Sequence, residues 1–565
     1  MMATTNTYDA LIVGSGITGG WAAKELTEKG LNVLVLEAGR TIVPEKDYVE
    51  HVPVWELKYR NWDKRPERAN TQFVQRECYY ACDEYSHKFF VNDKDNPYTN
   101  APDTKFTWIR GRQVGGKSIT WGRQSYRWSD LDFEANLRDG VAVDWPVRYA
   151  DIAPWYDYVE EFAGISGQAE GLPQLPDGKF LPPMEMTCVE LDVREALQKH
   201  FDDRIMTIGR SAVLTQVHKG RAACHYCGVC HRGCITQSYF SSLNSTLPAA
   251  AKTGRLTIRP YSVVHSVVFD SAKRRASGLR VIDAQTKEHL EFKGRIIFLC
   301  ASALESTRLM LNSATAEFPN GLGNSSGELG HNVMDHHMGS GASGTMPGHE
   351  DKMPFGNRPN GIYVPRFRNV DAKTKQKGFI RGYGYQGGGG REGWGRGSYM
   401  SGFGVDFKNM LKKPGPWHMA FGGFGECLPY HSNYVEVNKD KPDAWGIPTL
   451  TFNCKWGDNE KTMSRDIAVQ AAEILAASGA KDINMFSEIS PMGLGIHEMG
   501  TARMGRDPKT SVLNAHNQVH DVPNVFMTDG ACMTSASCVN PSLTYMALTA
   551  RACDYAVSQM KKNEL

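Results

Sequence analysis

No run of apolar residues in this chain approaches the roughly eighteen that a membrane-crossing helix needs. Neither charge is in surplus: 64 Lys and Arg stand against 62 Asp and Glu, a net of +2. That balance leaves no electrostatic footprint for nucleic acid. There is no internal repeat, which sets solenoids and propellers aside. The opening MMATTNT has no basic-then-apolar leader, so no signal peptide of its own is expected. A disulfide framework is also missing. Outside one short run the cysteines stand singly or in loose pairs, such as Cys78 with Cys82 and Cys532 with Cys538.

What the chain does have is length and an enzyme's composition. Its 565 residues are too many for one compact domain, and two or three are expected. Hydrophobic residues at 41% and aromatics at 10% can build sizeable cores.

The short cysteine run is Cys224, Cys227, Cys230 and Cys234, in AACHYCGVCHRGC. Its C-x2-C-x2-C-x3-C spacing is that of a bacterial ferredoxin loop, whose soft thiolates wrap an iron–sulfur cluster. A structural zinc site prefers two knuckles set well apart, and plain thiols are a further alternative. There is no second run, and Ile235 stands where the ferredoxin pattern has proline. One cluster is therefore expected, either 4Fe–4S on four ligands or 3Fe–4S on three. A cluster passes single electrons, which suits a dehydrogenase more than an oxidase.

The N-terminus carries a second signal. YDALIV reads as a buried strand, GSGITGG turns into a helix ending near Gly30, and LNVLVLEAG is a second strand. Gly14, Gly16 and Gly19 have G-x-G-x-x-G spacing within this βαβ unit. Gly14 permits the tight turn, Gly16 admits a pyrophosphate, and Gly19 allows close helix–strand packing. The helix N-terminus then offers free N–H groups to the phosphates. Glu37, at the end of the second strand, suits a ribose without a 2′-phosphate, pointing to FAD or NAD rather than NADP.

The middle is less regular. FTWIRGRQVGGKSITWG holds a small-residue loop at Gly115, Gly116 and Ser118, which a ring or phosphate could approach closely. LTIRPYSVVHSVVFD and GLRVIDA read as successive strands, and GRIIFLCASALESTRLMLNS as strand into helix. Residues 382–404 are glycine-rich with interleaved aromatics and read as a flexible loop or a lid.

The C-terminal block reads GIHEMGTARMG, then VFMTDGACMTSASCVNPSLTYMALTA. With the glycine unit, the GRQVGGKS loop and LCASALESTRLML in the same order, it resembles the glucose–methanol–choline (GMC) oxidoreductase family over nearly the whole chain. The resemblance implies an α/β fold: a Rossmann-like FAD-binding domain with an α+β substrate part built on an antiparallel sheet. It implies that His497 is the base taking a hydroxyl proton, with Asn540 as its partner beside the flavin. It places Asp529 and Gly530 at the ribityl and pyrophosphate and Ser542 near the ring, and adds Thr18 and Val264 to the cofactor contacts. Histidine titrates close to working pH, which suits a base, and a flavin accepts the hydride. The glycine loop holds no histidine, so FAD is expected to be noncovalent.

The cysteine run is a departure from the family's oxidases. It resembles the branch of bacterial sugar dehydrogenases, the glucoside 3-dehydrogenase type foremost, with FAD glucose dehydrogenase beside it and gluconate, sorbitol and fructose dehydrogenases as relatives. That branch implies a sugar or glycoside substrate oxidised at a secondary hydroxyl, with C3 of glucosides favoured. It also implies a small accessory subunit, a cytochrome c-type acceptor, and either a periplasmic location by co-export or a cytoplasmic one. The rival reading is a non-catalytic flavin and iron–sulfur relay. FAD-binding pieces are expected at 1–55, 106–130, 191–334 (with the cluster loop 224–234) and 496–565. Substrate or cap segments are expected at 56–105, 131–190 and 335–495.

Overall fold

The computed structural model describes residues 7–48, 52, 54–60 and 66–565. Residues 1–6, most of the segment read as leaderless, lie outside them. No described helix is long and apolar enough to cross a membrane.

The chain begins in the larger of two main sheets. Strands Leu256–Arg259, Val33–Leu36, Thr7–Val13 and His289–Leu299 lie side by side in that order, all parallel. Val525–Met527 adds a further parallel strand against the end of His289–Leu299. The meander Ser262–Asp270 and Arg275–Asp283 pairs antiparallel with that strand's first half. Strand residues alternate between faces. Leu11, Val13, Leu34, Leu36 and Leu299 enter one apolar cluster, and Ala10, Ile12, Val33, Val35 and Phe298 another. Burial on both faces is why these strands read as unbroken apolar runs. The two ends of the chain meet here, since Val13 pairs with Leu299 and Leu299 with Met527. Helix Ile17–Glu28 packs on helix Ser542–Lys561, where small Ala22, Ala23, Ala552 and Ala556 let the two approach.

The second sheet is antiparallel throughout. Its order is Lys481–Ser487, Ser340–Met346, Trp417–Gly425, Tyr383–Arg391, Ile362–Val364 and Thr207–Ile208. Helices Asp458–Ala477 and Cys188–His200 share a core with one face, through Ile467, Ile474, Val189, Val193, Tyr385, Met419 and Phe421. By the same alternation Gln386 and Phe424 face the other side.

Two expectations are corrected here. The glycine-rich stretch is not a loop at its start: Tyr383–Arg391 is an interior strand. Its glycines serve packing, because a Cβ on Gly387 would lie 2.0 Å from the Ala420 carbonyl oxygen and one on Gly389 2.4 Å from Val189. Past it come a short turn of helix, Trp394–Ser398, and helix Gly404–Lys412. The boundary expected at 190/191 cuts helix Cys188–His200, which packs with the antiparallel sheet. That sheet also takes Thr207–Ile208 from a range assigned to the cofactor side. Tyr434–Pro442 and Pro448–Asn453, inside 335–495, pair instead with each other and with Thr99–Asn100.

Candidate active site

Parallel strands present their carboxyl ends to ligands. Just past Val13, Leu36 and Leu299 lies a cavity of about 640 Å³. It is lined by Gly14, Gly16, Thr18, Glu37, Gly116, Ser118, Val264, Asp529, Gly530 and Ser542, together with His497 and Asn540. Gly19 and Gly115 stand behind the wall. Gly14 has φ +89, and a Cβ there would sit 2.5 Å from the Cys300 carbonyl oxygen. A Cβ on Gly19 would come within 2.0 Å of the Gly14 oxygen, so only glycine lets the helix start against the strand end. At Gly16 the nearest atom to such a Cβ is Gly116 Cα at 4.0 Å, which leaves the helix N-terminus open. Gly115, at φ +99, donates its N–H to Ser15 Oγ at 3.0 Å and ties the second glycine loop to the first.

Buried Glu37 accepts from Ser15 N–H at 3.1 Å, Ser15 O–H at 2.6 Å and Gly39 N–H at 3.1 Å. Its burial raises the carboxyl above the ordinary range despite those donors. Asp529 accepts from Ser306 O–H at 2.5 Å and Ala531 N–H at 3.1 Å, and burial pushes it up to about 6. The cavity fits a dinucleotide. It has the glycine cradle and the N-terminal end of helix Ile17–Glu28. Lining residues also carry buried polar atoms without a protein partner, an Arg112 guanidinium nitrogen and the Tyr545 hydroxyl among them.

His497 and Asn540 face each other in the wall, with Asn540 Nδ2 3.3 Å from His497 Nε2. Three groups that the sequence reading missed complete this corner. Gln386 Nε2 donates to Asn540 Oδ1 at 2.6 Å. His336 Nδ1 lies 2.8 Å from His497 Nδ1. Asp335 gathers four backbone N–H groups on one carboxylate: His336 at 2.9 Å, Gly493 at 2.8 Å, Gly495 at 3.0 Å and His497 at 3.0 Å. Those bonds hold a turn in which Ile496 has φ +57, costly for a β-branched residue and tolerated only where its surroundings fix it. Burial and then Glu498 push the Asp335 carboxyl up to about 7. Glu498, itself in the wall, pairs with Lys117 of the glycine loop at 3.2 Å. A signal for His336 was present in the titratable string MDHH at 334–337. Gln386 is the lone polar side chain in a run of glycines.

Burial holds His497 well below the ordinary histidine range, and the neighbouring His336 ring and the Lys117 ammonium act in the same direction. Burial likewise lowers His336 to about 4. Once unfolded, His336 protonates near 6.5, so the unfolded chain binds more protons between pH 6.5 and 4. The stability its neutral ring supplies is present above pH 6.5 and lost as pH falls through that window. Asp335 and Asp529 act with the opposite sign, so the test is a difference between variants. Relative to His336→Gln, the wild type should lose on the order of 3 kcal/mol between pH 7 and pH 4. Parallel denaturation curves would measure it, and an unchanged difference would refute it.

Cys224, Cys227, Cys230 and Cys234 all line one small cavity, with His225, Val213, Ser238 and Tyr239. Among the described residues, no three or more His, Cys, Asp or Glu side chains form a metal-holding group. The common cavity and the softness of the thiols are what the structure offers a cluster.

Two family models described as GMC oxidoreductase match the chain, one over residues 8–338 and the other over 429–549. The 2-methyl-1,2-propanediol dehydrogenase of Mycolicibacterium austroafricanum is 27% identical, over 98% of this chain and 96% of its own. The fructose dehydrogenase large subunit of Gluconobacter japonicus is 26% identical over the whole of both. The formate oxidase structure from Aspergillus oryzae superposes with a TM-score of 0.62 at 14% identity, over all of both chains, a likeness of fold.

Proposed function

The chain belongs to the GMC oxidoreductase family of FAD-dependent enzymes acting on CH–OH donors, and on that footing we propose a dehydrogenase that oxidises a secondary hydroxyl of a sugar or glycoside, C3 of a glucoside foremost, to the ketone. The observation that carries this reading is the His497–Asn540 pair in the wall of the cavity that holds the glycine cradle. A non-catalytic relay would need no base there.

Bound FAD supplies the two-electron acceptor. The chain's own part is to place the alcohol and take its proton. A hydroxyl set between His497 Nε2 and Asn540 Nδ2 gives its proton to the imidazole and keeps its oxygen on the amide. A polyol is supported by the polar lining of the same cavity, which includes Arg123, Gln124, Arg358, Asn360 and Gln386, with Phe424 beside the His497 ring. Asn360 Oδ1 and Arg123 Nε are buried without protein partners, as groups that hydroxyls would satisfy. The fructose dehydrogenase likeness points the same way. On this reading Cys224, Cys227, Cys230 and Cys234, which share one small cavity, would hold one iron–sulfur cluster, and it would supply single-electron chemistry. The likeness to the sugar-dehydrogenase branch supports a small accessory subunit and a cytochrome-type acceptor, with export on the subunit or residence in the cytoplasm both compatible.

The test is anaerobic mixing of the FAD-loaded protein with glucose, methyl glucosides, disaccharides, gluconate, fructose and 2-methyl-1,2-propanediol. Bleaching of the flavin by a glucoside, with a 3-keto product, is expected. Bleaching only by the small diol would overturn the sugar reading, and bleaching by none would favour the relay. Iron and sulfide in anaerobically purified protein are expected; zinc without iron would remove the cluster.

A further inference from the structure

We propose that His336 is a positioning residue that holds the His497 ring as its Nδ1–H tautomer, so that the Nε2 lone pair faces the cavity. The argument starts from the far end of the chain of contacts. His336 Nε2 faces two backbone carbonyl oxygens, Ser537 at 2.9 Å and Ala536 at 3.2 Å. Carbonyls only accept, so Nε2 carries the hydrogen. In a neutral ring Nδ1 is then a bare acceptor. The 2.8 Å contact between the two Nδ1 atoms needs one hydrogen, and His497 must supply it. That leaves His497 Nε2 without a proton, where Asn540 Nδ2 can donate to it. The Asn540 amide is turned that way by Gln386, whose N–H group takes Asn540 Oδ1 as its acceptor at 2.6 Å. With a neutral His336 and the amides oriented as they stand, every donor in the row meets an acceptor.

The neutrality of His336 decides the outcome. A doubly protonated His336 would force His497 Nδ1 to be the acceptor and its Nε2 to carry the proton, and no base would face the cavity. The ring is 1% exposed, with its rim closed by the Ala536–Ser537 backbone and the His497 ring, whose centroid lies 4.9 Å away. Burial of this kind disfavours the charged form. A neutral imidazole thus does here what a carboxylate does in other histidine bases, fixing tautomer and ring direction.

This role rests on the dehydrogenase reading, but its tautomer is observable without substrate. The holoenzyme would be labelled with ring-15N histidine and examined by long-range 1H–15N correlation, the His497 signals being those lost in His497→Gln. The wild type should show His497 protonated at Nδ1 and bare at Nε2. In His336→Gln the amide can still donate to the Ser537 carbonyl and accept from His497, so the pattern should persist with most of the turnover. His336→Ala should give a mixture of tautomers and a fall in kcat of about a hundredfold or more, with KM little changed. A wild-type His497 protonated at Nε2 would overturn the proposal. So would an unaltered Nδ1–H pattern in His336→Ala. Should His336→Ala not fold, the wild-type and Gln spectra still decide. If no substrate in the panel reduced the flavin, the enzyme reading would fail while the tautomer result stood by itself.

Discussion

Replacing His497 by alanine is expected to slow substrate-driven flavin reduction by about 10²–10⁴-fold, the range for losing a general base, with FAD still bound. The two halves of that expectation come from different parts of the structure. The cofactor cradle is built on Gly14–Thr18, Gly116–Ser118 and Asp529–Gly530, which the imidazole does not support. The turn carrying residue 497 hangs on the backbone N–H bond to Asp335, which alanine keeps. What the substitution removes is the acceptor facing Asn540 and the donor facing His336. Stopped-flow reduction under anaerobic conditions, set beside the flavin-to-protein ratio, measures both. Turnover near that of the wild type would end the assignment, and loss of FAD would show that the ring is structural.

The parts of this site that were legible in the sequence are those whose partners are close in the chain. The glycine unit holds two strands, the helix between them and Glu37 in one continuous segment, so its geometry follows from local pattern. His497 and Asn540 stood out through family-like motifs. His336 did not: the MDHH string marks a titratable cluster, but its contact with His497 spans 161 residues and no local spacing ties the two together. The strand Tyr383–Arg391 failed for a different reason. Four successive glycines carry the propensity of a loop. Tertiary pairing on both sides, with Ile362–Val364 and Trp417–Gly425, overrides it. Gln386 was hidden with it. The 190/191 boundary failed because packing of helix Cys188–His200 on a sheet drawn from residues 207–487 has no local signature.

The glycines at the head of helix Ile17–Glu28 offer a second large effect, and two of them should fail in different ways. A Cβ on Gly19 would stand 2.0 Å from the Gly14 carbonyl oxygen and 2.8 Å from its carbon, both rigid backbone. The helix could start only by moving away from the strand end. Its N–H groups would leave the cavity, and the packing of Ala22, Ala23 and Leu26 in the core behind would loosen with them. Gly19→Ala should therefore yield protein without FAD and with a lowered melting temperature even when wild-type apoprotein is the comparison. Gly16 meets no such wall, its nearest neighbour being 4.0 Å away. Its backbone φ is ordinary for any residue, at −67. Gly16→Ala should leave the apoprotein as stable as the wild type. The added methyl would nonetheless stand in the space through which a pyrophosphate approaches the helix N-terminus, and FAD affinity should drop by at least tenfold. Flavin titration and melting of both apoproteins separate the two. Equal losses of stability in both variants would show that these glycines serve packing alone and that the cavity is not shaped for a dinucleotide.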